Sequence, residues 1–187
     1  LTNLCLQLYA FGCSDPGEMR WMDPPPQGPW QKAEQLLVKL GGLEGLASSA
    51  QGLVITPHGQ RMSQLPLSPR LGHLLITAQR YNALFLGCQL VALLSEKDPL
   101  ATRSDNDYDL MLRVNWLNSN QPTQPNLMSI RQRITKQAKR LFSQMPQDST
   151  PPISHSYNPS QLAAILVAHA WPERIAQQTS DPKQYKL

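Results

Sequence analysis

Between Leu127 and Met145 the chain carries five basic residues and no acidic one: Arg131, Arg133, Lys136, Lys139 and Arg140. At about 100° per residue, Arg133, Lys136, Lys139 and Arg140 fall on one side of a helix and Arg131 on its flank. Cations of one sign with no acid a turn away repel one another along the helix. A phosphate backbone relieves that repulsion and releases counterions, and each guanidinium can fork onto phosphate oxygens. An acidic protein surface suits the same charges, and a plain solvated face is the commonest role of such residues. Arg70 is a weaker candidate for the same work.

The segment stands out because the rest of the charge nearly cancels. Residues 1–60 hold three basic and five acidic side chains, residues 61–126 six and five, and residues 146–187 three of each. The net +4 therefore rests on the one stretch that contributes +5.

Other chemistry finds little support. There is no Gly-x-x-x-x-Gly-Lys phosphate loop, no Gly-x-Gly-x-x-Gly and no Gly-x-Ser-x-Gly elbow. Asp105, Asp107 and Asp109 are spaced like half a calcium loop but lack its glycine and its closing glutamate, so loop solvation and helix capping account for them better. Cys5, Cys13 and Cys88 form no Cys-x-x-Cys, and His58, His73, His155 and His169 are scattered at no metal-like spacing. The thiols read as buried or idle in a reducing cytoplasm, Cys5 and Cys88 as small hydrophobes among leucines. No catalytic residue, metal or cofactor is expected on this segment.

The elements that hold these residues are mainly helical. With 41% hydrophobic residues the chain can bury a core, and no run of about 18 apolar residues is present to cross a membrane. Its start lacks a basic region and a cleavage site, and Leu1 in place of Met reads as a piece of a longer protein. Spacing predicts a helix over residues 2–11 stopped by Gly12, an extended Asp23–Pro26 connector, and a helix through Trp30 and Leu40 ended by Gly41-Gly42. A short strand at 53–55 leaves a turn at Gly52, and Thr56-Pro57 opens a helix to about Gln64. Helix, helix, small hairpin and helix is the outline of a winged helix. Ser68-Pro69 starts another helix, residues 84–94 read as the buried centre of a bundle, and 110–117 as a shorter helix. Leu127, Ile130, Ile134, Ala138, Leu141, Phe142 and Met145 form the apolar stripe opposite the basic face. A Pro- and Ser-rich linker (146–156), a helix capped by Asn158-Pro159, one restarted turn within 173–177 and a frayed end from Thr179 complete the reading. The expected domains are 1–64, a winged helix; 65–146, a helical bundle; and 147–187, a linker and the start of a further region.

Residues 8–17 (Leu-Tyr-Ala-Phe-Gly-Cys-Ser-Asp-Pro-Gly), 21–26 (Trp-Met-Asp-Pro-Pro-Pro) and 55–71 (Ile-Thr-Pro-His-Gly-Gln-Arg-Met-Ser-Gln-Leu-Pro-Leu-Ser-Pro-Arg-Leu) resemble the region that follows the two RecA-like lobes of DEAH-box helicases. Ser68 stands where that family usually has Asp, which keeps an N-cap, and Pro57 is less usual there. Phe-Gly-Cys-Ser-Asp-Pro (11–16) and Ala-Trp-Pro-Glu-Arg-Ile-Ala (170–176) are similar to motifs of the bacterial HrpB branch. The resemblance spans nearly the whole chain and is thin from Lys97 to Asn126. It implies a degenerate winged helix followed by a helical ratchet-like domain, an accessory part of an ATP-dependent RNA helicase. ATP and Mg would belong to lobes upstream. The partners it implies are those lobes and single-stranded nucleic acid, RNA by the family's habit, with no membrane and a cytoplasmic setting. Arg131, Arg133, Lys136, Lys139, Arg140 and Arg70 would then be strand contacts to backbone, with little base readout.

Two readings of other classes stand beside this one. A free-standing winged helix reading duplex DNA needs a basic recognition helix, whereas residues 30–40 offer only Lys32 and Lys39 with Glu34. A protein-interaction scaffold would use Trp21, Trp30 and the proline run.

Overall fold

The computed structural model describes residues 1–45, 52–100, 109–119, 124–146, 151–178 and 185–186. The chain is mainly helical and divides into two compact units, Leu1–His73 with His169–Leu187, and Leu74–Ala168.

In the first unit, α1 (Thr2–Phe11) ends at Gly12, whose φ of 94° places it in the left-handed region. The Cys13 N–H reaches the Leu8 carbonyl at 2.9 Å and the Gly12 N–H the Tyr9 carbonyl at 3.1 Å, so the last carbonyls are satisfied. After one 3-10 turn at Pro16–Glu18, α2 (Gln27–Lys39) follows the proline connector and closes in the same way at Gly41, φ 68°. β1 (Leu43–Gly45) and β2 (Leu53–Ile55) pair antiparallel, Leu43 opposite Ile55.

Thr56 then caps α3 (Pro57–Ser63), its hydroxyl accepting from the Gly59 N–H at 2.9 Å and donating to the Gly41 carbonyl at 2.6 Å. One side chain thus starts α3 and ties it to the end of α2. Gly59 lies so close to the Gly42 carbonyl that no Cβ fits. Cys5, Leu6, Leu37, Leu40, Leu43 and Met62 fill the core between these elements.

α4 (Pro69–Arg80) begins in the first unit and enters the second, and α8 (Pro159–Ala170) returns. Between them lie α5 (Leu84–Leu94), α6 (Leu110–Asn118) and α7 (Pro125–Gln144). Residues 87–93 of α5 are all buried, as a central helix requires, and α5 packs along α7. Gly87 brings α5 against the Ala78 methyl of α4, with no room for a Cβ between them. Asp109 caps α6 by accepting from the Met111 N–H at 2.8 Å, the capping role its position predicts; Asp105 and Asp107 lie outside the described residues. Asn158 and Gln161 form a reciprocal capping box at the start of α8.

The structure differs from the sequence reading in two stretches. The described part of the 146–156 linker is strapped to the end of α4: Ile153 N–H donates to the Arg80 carbonyl at 2.7 Å, Gln79 Nε2 to the Pro146 carbonyl at 2.7 Å, and His155 Nε2 to the Tyr81 carbonyl at 2.8 Å. The Arg80 and Tyr81 carbonyls are ones the end of α4 leaves unpaired, and Gln79 adds a side-chain donor, so a segment without secondary structure gains fixed partners. Near the end, the restarted turn is a 3-10 turn at Pro172–Arg174. Where fraying is expected, β4 (Tyr185–Lys186) pairs with β3 (Gln177–Gln178). Residues 179–184 and Leu187 lie outside the described residues.

Candidate functional site

α7 positions the basic residues. Pro125 opens it, where the missing N–H costs nothing, and Ile134, Ala138 and Leu141 bury its inner face. The remainder of the expected stripe is less covered: Phe142 is 47% exposed, and Leu127, Ile130 and Met145 are half-buried.

Lys136, Lys139 and Arg140 are exposed on the far side. The two arginines nearer the start of α7 are engaged. Arg131, on the flank, reaches across to α6 and donates from Nη1 to the Ser119 carbonyl at 2.9 Å. Arg133 Nη2 lies 2.8 Å from Glu96 Oε2, just beyond α5. The basic helix does lack an acid of its own, as its sequence shows, yet Glu96 supplies one from another element and offsets part of the like-charge repulsion.

Arg131, Lys136 and Lys139 together with Gln132, Thr135, Leu117 and Ser119 line a shallow depression of about 470 Å³. Donors of two kinds, cationic and hydroxyl or amide, converge there. That arrangement suits an anion with several oxygens, a phosphate above all.

Arg70 belongs to the first unit and is held within it. Its guanidinium forks onto Glu173 at 2.6 and 3.2 Å and donates to the Ala170 carbonyl at 2.6 Å, while its Cζ lies 5.8 Å from the centre of the Trp171 ring. The hydrogen bond from Arg70 holds the Glu173 carboxyl below the usual carboxylate range. Arg70 thereby fixes the turn after α8 in place.

Three of the four histidines scattered in sequence come together in the first unit, while His155 lies with Tyr81 and Tyr157 in the second. His58 Nε2 is 2.7 Å from His73 Nδ1, and the rings of His73 and His169 are centred 5.9 Å apart. Among the described residues no group of three or more His, Cys, Asp or Glu side chains is arranged to hold a metal ion. Cys5, Cys13 and Cys88 are buried free thiols, and burial pushes Cys5 and Cys88 up to about 12, so neither offers a thiolate nucleophile.

Two features escape sequence reasoning. One is Glu96, whose pairing with a residue 37 positions away carries no local signal. The other is a groove of about 590 Å³ in the second unit, where Phe85 and Phe142 meet edge to face at a ring separation of 5.7 Å. Helical spacing puts Phe142 on the apolar stripe, and Phe85 falls in the segment read as a buried central helix, yet both are more than two-fifths exposed. No described helix is long and apolar enough to cross a membrane.

No protein-family model matches the chain. Over its whole length it is 32% identical to the ATP-dependent RNA helicase HrpB of Escherichia coli (strain K12), covering 19% of that protein. Over 99 residues, 53% of the chain, it is 29% identical to the ATP-dependent RNA helicase HrpA of the same organism. A crystal structure of the Escherichia coli DEAH/RHA helicase HrpB matches the entire chain with a TM-score of 0.65 and 26% identity, over 20% of that structure's chain. The chain thus spans about a fifth or less of the length of these relatives.

Proposed function

The chain is an HrpB-like segment of the DEAH-box RNA helicases, and on that premise we propose that it is an accessory, nucleic-acid-guiding part of such an enzyme. In this reading residues 1–64 serve as a degenerate winged helix and residues 65–146 as a ratchet-like bundle. The bundle offers a cationic face to a single strand, RNA by kinship with the named helicases. ATP and Mg are handled by the parent's RecA-like lobes, and the segment itself contributes no catalytic residue.

One observation carries the proposal: Lys136, Lys139 and Arg140 stand exposed on a helix without an acid, beside a depression lined by Arg131 and Thr135. A strand held there by its phosphates slides without regard to sequence, which a motor working on many RNAs requires. Arg70 is the weakest member of the proposed contact set, because Glu173 already neutralises it.

Packing on the lobes is supported by apolar side chains left in the open. Phe11 is 80% and Met22 99% exposed in the first unit, so both are open to be covered by a partner surface. Trp30 is not available for such docking, since it is buried and its indole N–H donates to Glu34 at 2.9 Å.

The test is binding of a fluorescein-labelled oligouridylate, followed by anisotropy at rising salt. The reading predicts affinity that falls steeply as salt rises. Absence of binding at low salt would overturn it.

A further inference from the structure

We propose that the groove at Phe85 and Phe142 seats one unpaired base of the strand whose phosphates lie over Arg131, Lys136 and Lys139. This deepens the reading above and rests on it.

Three observations converge. The phenyl rings are packed edge to face, line the groove, and belong to residues that remain 42% and 47% exposed, so the aromatic pair is not sealed into the core. Base–aromatic stacking uses an aromatic face and tolerates any sequence. Among the described residues the groove lining carries no charged side chain; Leu162 and Val114 are apolar, Asn115 brings an exposed amide, and Asn118, whose Oδ1 accepts from Gln89 Nε2 at 2.7 Å, keeps its amide nitrogen at the rim. Amides at the rim of an apolar slot match the hydrogen-bonding edge of a base, whose ring is flat and uncharged.

The third observation is proximity to the cations. Asn118 lines the groove, and the next residue, Ser119, lines the cationic depression. Likewise Phe142 lies three residues after Lys139 on α7, which puts their side chains on neighbouring turns of one helix. A neutral slot and a cationic seat side by side reproduce the division of a nucleotide into base and phosphate. The complementarity selects a nucleotide strand over an apolar peptide, which brings no anion, and over an acidic protein surface, which brings no flat uncharged ring for the slot.

The experiment compares two labelled strands of equal length and charge: an oligouridylate, and the same strand with its central bases removed. With the 187-residue chain the intact strand should bind about ten-fold tighter. Phe142→Leu and Phe85→Leu, checked for folding by circular dichroism, should each bring that ratio towards one while leaving the salt slope unchanged. Uridine monophosphate should compete far less well than the strand, because it engages one phosphate only. A wild-type ratio near one, a ratio unmoved by either folded variant, or equal competition by the mononucleotide would overturn the base seat and leave the guiding role standing. Failure of both strands to bind would overturn the guiding role and the seat together.

Discussion

Glu96 Oε2 sits 2.8 Å from Arg133 Nη2, so an acid from beyond α5 holds one of the five cations that α7 offers. Arg133 is well exposed, so the pair adds little to stability, but it reduces the positive field of the face.

Removing the acid should therefore strengthen strand binding. Glu96→Gln is expected to raise affinity a few-fold and to steepen the dependence of log affinity on log salt by about one. Anisotropy titrations at several salt concentrations measure both. Identical curves for variant and wild type would show that Arg133 does not face the strand.

A second ion pair has the opposite character. Arg113 is buried, donates to Asp98 at 2.8 Å from Nη2, and reaches the Asp109 carbonyl at 3.1 Å. The hydrogen bond from Arg113 holds the Asp98 carboxyl below its ordinary value of 3.8. A depressed carboxylate contributes stability that is present above its unfolded value and lost as pH falls below about that point. Asp98→Ala removes the carboxylate that faces a buried guanidinium and should cost about 1–3 kcal/mol at neutral pH, read from urea unfolding. In acid, below the range where wild-type Asp98 protonates, the difference should shrink.

The alkaline limb follows from the first unit. Burial pushes the Cys5 thiol up to about 12, and burial with the 2.8 Å hydrogen bond to Glu34 pushes the Tyr9 phenol up as well. Groups that stay protonated longer in the folded chain lose their stabilising effect as pH rises above their unfolded values. Stability should fall from about pH 9 upward, and Tyr9→Phe with Cys5→Ala should flatten that fall. At pH 8 both Cys5 and Cys88 should resist iodoacetamide until denaturant is added. Rapid labelling of the native chain would contradict their burial.

Two glycines test the packing of each unit. An alanine at Gly59 would meet the Gly42 carbonyl, and one at Gly87 the Ala78 methyl. Each substitution should cost about 1–3 kcal/mol through forced backbone or helix displacement. Gly45→Ala, with nothing near its Cβ position, is the control and should unfold close to wild type.

Much of this architecture is legible in the sequence because it is set locally. Thr56-Pro57 and Asn158-Pro159 announce helix starts through groups at most three residues apart, and Gly12 and Gly41 announce the ends. The basic side of α7 is legible for the same reason, since helical period alone places Lys136 opposite Ile134 and Ala138. What stays hidden is set across distance. Nothing near Arg70 foretells Glu173, 103 positions later, nor does anything near Arg133 foretell Glu96. Phe142 sits at the edge of the apolar stripe, and only the packing of α5 and α6 against α7 leaves it half open. The β3–β4 pairing joins two-residue strands too short and polar to carry a period.

The central claim is that the exposed cations of α7 grip a strand through its phosphates. The most direct measurement is anisotropy of a labelled single-stranded RNA across a salt series, comparing wild type with Lys136→Glu/Arg140→Glu. The account predicts weaker binding by the double variant and a salt slope flatter by about two. Equal affinity and equal slope in a variant that folds normally would contradict it.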